Sequence, residues 1–336
     1  MENKALNMQE SSIDFVLIWV DGDDPVWQEE RNKYVSQEKR MPNSNNSQYR
    51  DWGTLRYWFR AVEAYAPWVR RIHFVTCGHY PEWLDLSHPK LNFVKHEDFI
   101  PSRYLPTFSA NAIELNIHRI AGLSDRFVFF NDDVFVSSPV KPKDFFVDGL
   151  PRDCAIRNIP MLYDIGHINL NDINLINKAF NFNKQFKDNL WKWMNYRYGV
   201  HCLRSLFFLP LAEFTGAKNL HLANAYSKDT FNEVWDKYGT VLDQTCQRKF
   251  RSVLDVNQWL FKYWQIVSGQ FFPQWIGIGR ASSISNLRFL ESSLKKQKYK
   301  LICLQDCDWM SDITSLKCEV QKIFEATFPD KSSFEL

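Results

Sequence analysis

No apolar run in this chain approaches the roughly 18 residues that a membrane-spanning helix needs, so the sequence predicts no transmembrane segment. Residues Met1 to Ser12 are polar and lack the hydrophobic centre of a secretory signal. An excess of one charge is missing too. The 41 Lys and Arg nearly balance 39 Asp and Glu, and a net charge of +2 makes no field that would gather nucleic acid. Cysteine is sparse: seven residues, an odd number, scattered along 336. Only Cys303 and Cys307 lie close together. With Asp306 and Asp308 beside them they match neither a zinc knuckle nor a C-x-x-C redox pair. Reduced thiols in a cytoplasm are the expectation. Internal repeats and low-complexity segments are absent.

What remains is ordinary globular composition, 45% hydrophobic and 24% charged, with length for one elaborated domain or two. Aromatics are heavy, with 27 Phe, 13 Tyr and 13 Trp, which suits a bulky core or a carbohydrate-facing surface. The stretch Asp125 to Phe135 is the most informative. Its unbroken run Phe127-Val128-Phe129-Phe130 predicts a strand buried on both faces, and it stops in Asn131-Asp132-Asp133. Ligands of open α/β sheets bind just beyond the carboxyl ends of the strands. Two carboxylates about 4 Å apart repel by roughly 4 kcal/mol at an effective dielectric near 20. A hard divalent cation, Mg²⁺ or Mn²⁺, would remove that repulsion. Adjacent strand residues point to opposite faces, so Asp132 and Asp133 converge only if the chain has already turned. The alternative is a plain Asx-rich turn.

A second apolar run, Phe15 to Val20, also stops in acids, at Asp21-Gly22-Asp23-Asp24-Pro25. A helix is predicted from Val26 to about Lys39, then an exposed polar loop over Met41 to Gln48. Asp51 is a candidate cap for a helix carrying Leu55, Trp58, Phe59 and Val62 at helical spacing. Ile72 to Thr76 and Leu91 to Val94 read as strands. A helix from Ser109 with Ile113, Ile117 and Ile120 on one face leads into the central strand. This alternation predicts a mostly parallel, Rossmann-like sheet. From 150 to 290 the pattern is mainly helical and aromatic, with a stripe from Phe180 to Tyr198 that reads as packing. A late strand, Tyr299 to Leu304, ends near Asp306, and a last helix spans about Ile313 to Phe328. If that strand rejoins the sheet, the middle segment is an insertion or lid.

These pieces together resemble the Stealth proteins. Ile13 to Pro25 resembles their first block. Tyr49-Arg50-Asp51-Trp52-Gly53 through Asn131-Asp132-Asp133 resembles the second, with Ala66-Pro67-Trp68, Leu105-Pro106-Thr107-Phe108 and Ile113-Glu114 inside it. His221 to Trp235 with Arg251 to Asp255 resembles the third, and Ile302 to Asp306 the fourth. The chain departs from the family pattern at Gln305, where Asn is usual, and at Leu222-Ala223-Asn224, where a proline is common.

The resemblance implies a GT-A-like, Rossmann-related α/β fold with a helical, aromatic-rich insertion. It divides the chain into a polar tail at 1–12, a nucleotide-sugar-binding part at 13–150, a helical insertion or acceptor part at 151–290, and a strand and helix at 291–336 returning to the core. It implies an enzyme of polysaccharide synthesis that moves a hexose 1-phosphate from a nucleotide sugar, UDP-linked by expectation, to an acceptor hydroxyl and releases UMP. Such chemistry needs charge neutralisation at phosphate and a base for the hydroxyl. On that basis Asp132, Asp133 and Asp306 are the metal candidates, and His221, Asp132 and Arg251 the catalytic ones. Asp21, Asp23, Arg50, Asp51, Asn131 and Asp255 are the substrate-binding candidates. Arg50 and Arg251 suit a bidentate phosphate clamp, and His221 titrates in the right range for a base. The other histidines, His73, His79, His96, His118, His167 and His201, are expected to be structural. Partners are a nucleotide-sugar donor and a saccharide acceptor, free or lipid-linked, and not nucleic acid. A lipid-linked acceptor would bring a cytoplasmic protein to the inner face of a membrane. The oligomeric state is left open. Two other readings remain: a metal-dependent glycosyltransferase of the same fold that releases UDP, and a sugar-binding protein without turnover.

Overall fold

The computed structural model describes residues 12–35, 49–160, 165–306 and 312–336. The predicted loop at Met41 to Gln48, the tail before Ser12, the end of the first helix beyond Val35, and Cys307 and Asp308 lie outside them. The strands, in chain order, are β1 (Ile13–Ile18), β2 (Ile72–Thr76), β3 (Leu91–Lys95), β4 (Arg126–Phe130), β5 (Val134–Val136) and β6 (Phe146–Val147). They continue with β7 (Leu150–Asp153), β8 (Asn224–Ser227), β9 (Phe272–Pro273), β10 (Gly279–Ser283) and β11 (Leu301–Gln305).

The main sheet has the order β3-β2-β1-β4-β8, with the first four strands parallel and β8 antiparallel on β4. Its apolar runs are continuous because both faces are covered. Phe15 and Leu17 of β1, Phe74 of β2, and Val128 and Phe130 of β4 enter one core. Val16, Val75, Phe127 and Phe129 enter the other. The first core is closed by the Leu55–Tyr65 helix and by the Ile313–Thr327 helix, where Tyr57 stacks on Phe324 at 5.5 Å. The second is closed by the Ile165–Ala179, Lys228–Gln247 and Trp259–Ser268 helices, where Phe231 stacks on Phe261 at 3.7 Å. The amino-terminal end of the central strand is tied by Asp14, fully buried in β1, which accepts from Arg70 at 2.8 Å, His73 at 2.9 Å and the Ser124 N–H at 2.8 Å. His73 is structural, as expected.

The fold is thus the mixed α/β type expected, with a central, mostly parallel sheet, and two local expectations change. The late strand β11 does not enter the main sheet. It forms a second sheet, β10-β11-β5, antiparallel to β5, which follows β4 after a tight turn. Within 151–290, where helices predominate, β8 completes the main sheet. Asp51 does not cap the Leu55–Tyr65 helix. Its carboxylate accepts from the Gly53 N–H at 3.0 Å, and Thr54 occupies the N-cap without a side-chain bond. The aromatic stripe divides: Phe182, Trp193 and Tyr198 are core, whereas Trp191 and Tyr196 are exposed.

Candidate functional site

The strand order has one reversal. After β1 the chain builds β2 and β3 on one side, then returns to place β4 on the other. Such a switch point opens a crevice at the strand carboxyl ends. A cleft of about 320 Å³ lies there, lined by Trp19 after β1, Cys77 after β2, His96 after β3 and Asn131, Asp132 and Asp133 after β4. Tyr49 to Trp52, Thr107, Phe108 and Glu114 from the second block, Arg251 from the second half and Asp306 after β11 complete the wall.

The question of whether Asp132 and Asp133 can converge is answered by the turn that carries them. The Val134 N–H donates to the Asn131 carbonyl at 3.1 Å, and the Leu304 N–H donates to the Asp133 carbonyl at 2.9 Å. The strand has therefore already reversed, and both residues line one cleft. Asp132 is exposed to solvent across the open cleft. The protein crowded around it, then the negative charges of Asp133 and Asp51, push its pKa up to about 8. Burial raises Asp133 as well, against a hydrogen bond from the Cys303 thiol at 3.2 Å.

Among the described residues, three buried polar atoms without a hydrogen-bond partner border this cleft: Trp19 Nε1, Asp133 Oδ1 and Arg251 Nε. Buried polar atoms are nearly always paired, so orphans gathered in one cleft mark a place for a ligand. Glu114 is buried on the wall, with Gln258 Nε2 donating to it at 3.1 Å. Burial pushes its pKa up to about 7, opposed by the Arg251 cation. His96, expected to be structural, stands on the cleft wall. Burial and then His79 lower its pKa to about 3, so the imidazole is neutral.

The remaining candidates fall in different places. Arg50 Nη1 donates to both oxygens of Asp306 at 2.9 Å, and Trp52 Nε1 donates to the same carboxylate at 3.1 Å. Asp306 therefore holds Arg50 at the cleft wall. Asp21 lines an adjoining hollow of about 160 Å³ that shares Trp19, Asp51 and Leu55 with the cleft. Its Oδ1 accepts from the Asp23 N–H at 3.0 Å, and Asp23 is exposed at the turn. Asp24 caps the Pro25–Val35 helix by accepting from Val26 at 2.8 Å and Trp27 at 3.3 Å. Asp255 is fully buried outside the cleft lining. It accepts from Asn111 at 3.0 Å, Ser252 at 2.8 Å and Arg248 at 3.0 Å, and so fixes the loop that carries Arg251.

His221 is not part of the lining either. It occupies a left-handed turn, φ 51°, just before β8, whose antiparallel register sets that turn beside the carboxyl end of β4. Its ring keeps solvent contact. The protein packed around it, and then the Lys262 cation, hold its pKa below the ordinary imidazole value. Glu114 is the residue that sequence reasoning passed over. The available signal was an acid inside the otherwise apolar helix face of Ile113, Ile117 and Ile120. Among the described residues, no group of three His, Cys, Asp or Glu side chains gathers as a metal cage.

A mostly parallel α/β sheet with an acidic, arginine-bearing cleft at its switch point belongs to the class of α/β proteins that bind ligands just beyond the strand ends. The model of Stealth protein conserved region 1 matches residues 11–39, and that of conserved region 2 matches residues 48–153. A "Capsular polysaccharide phosphotransferase WcwK" of Streptococcus pneumoniae is 44% identical over 326 residues, covering 97% of this chain and 99% of the relative. A "Receptor polysaccharide phosphotransferase WefC" of Streptococcus oralis is 40% identical over 333 residues, covering 97% and 100%. An "Exopolysaccharide phosphotransferase cps2G" of Lactiplantibacillus plantarum is 36% identical over 326 residues, covering 96% of each. The chain belongs to the Stealth family and is an enzyme of the transferase class.

Proposed function

We propose that this enzyme makes phosphodiester links in a capsular or cell-surface polysaccharide, moving a hexose 1-phosphate from a UDP-sugar to a saccharide hydroxyl. The acceptor oxygen attacks the phosphorus next to the sugar. The bond from that phosphorus to the bridging oxygen of the diphosphate breaks, UMP leaves, and the hydroxyl proton passes to a base. The observation that supports this reading is the presence, in one cleft, of Asp132 and Asp133 with Arg251, whose buried Nε has no partner among the described residues. That reading draws on the polysaccharide phosphotransferases to which the chain is similar along nearly its whole length.

Asp132 and Asp133 fit a divalent cation, Mg²⁺ or Mn²⁺. Asp133 Oδ1 is buried without a partner among the described residues, and Asp132 opens to the same cleft. Two carboxylates are also what Mg²⁺ usually takes from protein when phosphates supply the rest, so a three-residue cage is not required. Bound there, the cation would neutralise charge on the diphosphate. Arg251 orients the phosphate being transferred, as a planar fork can. Arg50, held by Asp306, adds positive charge at the wall. His221 is the proposed base. Its turn lies beside the carboxyl end of β4, and a lowered pKa keeps its imidazole neutral and able to take a proton.

We place the reaction in the cytoplasm. Support comes from six free cysteines among the described residues and from the lack, among them, of a helix long and apolar enough to cross a membrane. The deciding experiment is identification of the released nucleotide with a UDP-sugar panel and a saccharide acceptor, together with ³¹P NMR of the glycan. UMP and a phosphodiester signal are expected. UDP with no phosphorus in the glycan would overturn the proposal in favour of a glycosyltransferase.

A further inference from the structure

From Asn189 to Ala212 the chain carries no acidic residue, and within that stretch lie Arg197 and Arg204. The same stretch turns large apolar side chains to solvent. Tyr196 is 79% exposed, Val200 76% and Phe207 83%, with Trp191, Leu203 and Leu209 also exposed. Val200, Leu203 and Phe207 recur at spacings of three and four around the His201–Phe207 helix, so they form one stripe along it.

The stripe is held in place from beneath. The buried Arg157 guanidinium donates to the carbonyls of Phe208 at 2.5 Å and Glu213 at 2.6 Å, and the Ser205 hydroxyl accepts from the Arg157 N–H at 3.1 Å. The Cys202 thiol donates to the Asn195 carbonyl at 3.0 Å, which joins the helix to the turn bearing Tyr196. Exposed apolar side chains gathered this way mark an interaction surface. None of them lines the cleft, so the reaction gives no reason for them.

We propose that this face seats the protein on an anionic membrane leaflet. The apolar stripe enters the boundary between headgroups and acyl chains, while Arg197 and Arg204 meet lipid phosphates. Tyr and Trp, with an apolar body and a polar tip, suit that boundary. Charge decides between lipid and a second copy of the chain. A two-fold contact sets the same patch against itself. It would oppose arginine with arginine, and the segment has no acid to relieve them. The contact is peripheral, because no described helix can span a bilayer. The proposal does not depend on the reaction assigned to the cleft.

The test pellets the full chain with vesicles of mixed phosphatidylcholine and phosphatidylglycerol, and with phosphatidylcholine alone. Mixed vesicles should pellet the wild type. The double variant Leu203→Ser, Phe207→Ser should pellet about tenfold less, since it removes two of the three apolar side chains of the helix stripe. The pair Arg197→Gln, Arg204→Gln should lose the preference for anionic lipid. Circular dichroism and turnover of a soluble acceptor should not change in the serine variant, which separates loss of docking from loss of fold or activity. Failure of the wild type to pellet, or equal pelleting of wild type and serine variant, would overturn the proposal. So would a dimer seen by light scattering that the serine changes dissociate while pelleting persists.

Discussion

Arg251 and Glu114 form the most consequential residue pair in the cleft, and each is tested by a change of one property. Arg251→Lys keeps the charge and loses the planar fork, so kcat/KM should fall roughly 10²-fold or more if the guanidinium grips a developing phosphate charge. Wild-type kinetics would leave Arg251 a structural role. Glu114 predicts a pH effect. Its folded pKa of about 7 stands above the ordinary 4.5, so the folded chain binds a proton that the unfolded chain releases. Stability is then lost as pH rises from about 4.5 to about 7 and is flat beyond. Glu114→Gln, which keeps a carbonyl acceptor for Gln258, removes that loss. The variant should gain on wild type by up to about 3 kcal/mol at pH 8, and by little at pH 4. Urea unfolding at the two pH values measures it, and an equal difference at both would show that Glu114 ionises freely. At this scale the sequence was most legible where chemistry interrupts a pattern. Asp132 and Asp133 end an apolar run and do line the cleft. Glu114 sits in a helix, where a single acid ordinarily points to water, and only the folded chain shows it walled in by Gln258 and Arg251.

Elements written as continuous apolar runs were easy to read, and those defined by their neighbours were not. β1 and β4 declared themselves because both faces are buried. β8 is four residues, Asn224–Ser227, polar at both ends, and becomes a strand only because β4 offers an open edge. The destination of β11 was equally hidden, since its apolar face suits either sheet and only β5 selects the smaller one. The carboxyl-terminal elements are fastened by a contact that local pattern does not reveal. Arg60, buried in the Leu55–Tyr65 helix, donates Nε and Nη2 to Glu335 at 2.7 and 2.9 Å, and Nη1 to the Phe328 carbonyl at 2.6 Å. Burial alone would raise the pKa of Glu335. The Arg60 hydrogen bond and the Ser332 N–H outweigh it and hold the value below normal. The clamp is therefore at full strength above the ordinary Glu pKa and fades as pH falls through the lowered value. Arg60→Ala strands a buried carboxylate and should cost about 3–5 kcal/mol at neutral pH. In urea unfolding the gap from wild type should narrow in acid, and a gap that stays constant with pH would mean that Arg60 contributes packing alone.

On the scale of the whole molecule, the cleft is assembled from segments distant in sequence: the end of β1, residues 49–55, Glu114, the β4–β5 turn, Arg251 and Asp306. The sequence supplied most of these as separate acids and arginines at the ends of patterns. It could not show that Asp255 serves the Arg251 loop or that Asp306 holds Arg50, because those pairings exist only once the chain has folded. A ligand bridging such segments stabilises the molecule as a whole, and this yields a prediction about metal. Asp132 and Asp133 offer two adjacent carboxylates, Asp306 is engaged by Arg50, and among the described residues no three such side chains gather as a cage. A hard cation held by two carboxylates alone keeps most of its water and binds weakly, whereas donor phosphates complete its coordination. Mg²⁺ alone and the UDP-sugar alone should therefore each move Tm little. Both together, at about a hundred times the joint Kd, add about 2.7 kcal/mol, a rise of several degrees. Asp133→Asn should keep the Tm of the free protein or raise it, because it removes a desolvated carboxylate, and should abolish the joint increment. Chelator should likewise cancel the increment and the activity, with Mg²⁺ or Mn²⁺ restoring both. A full shift from the UDP-sugar in excess chelator would rule out the cation and leave the diphosphate to Arg251 and Arg50.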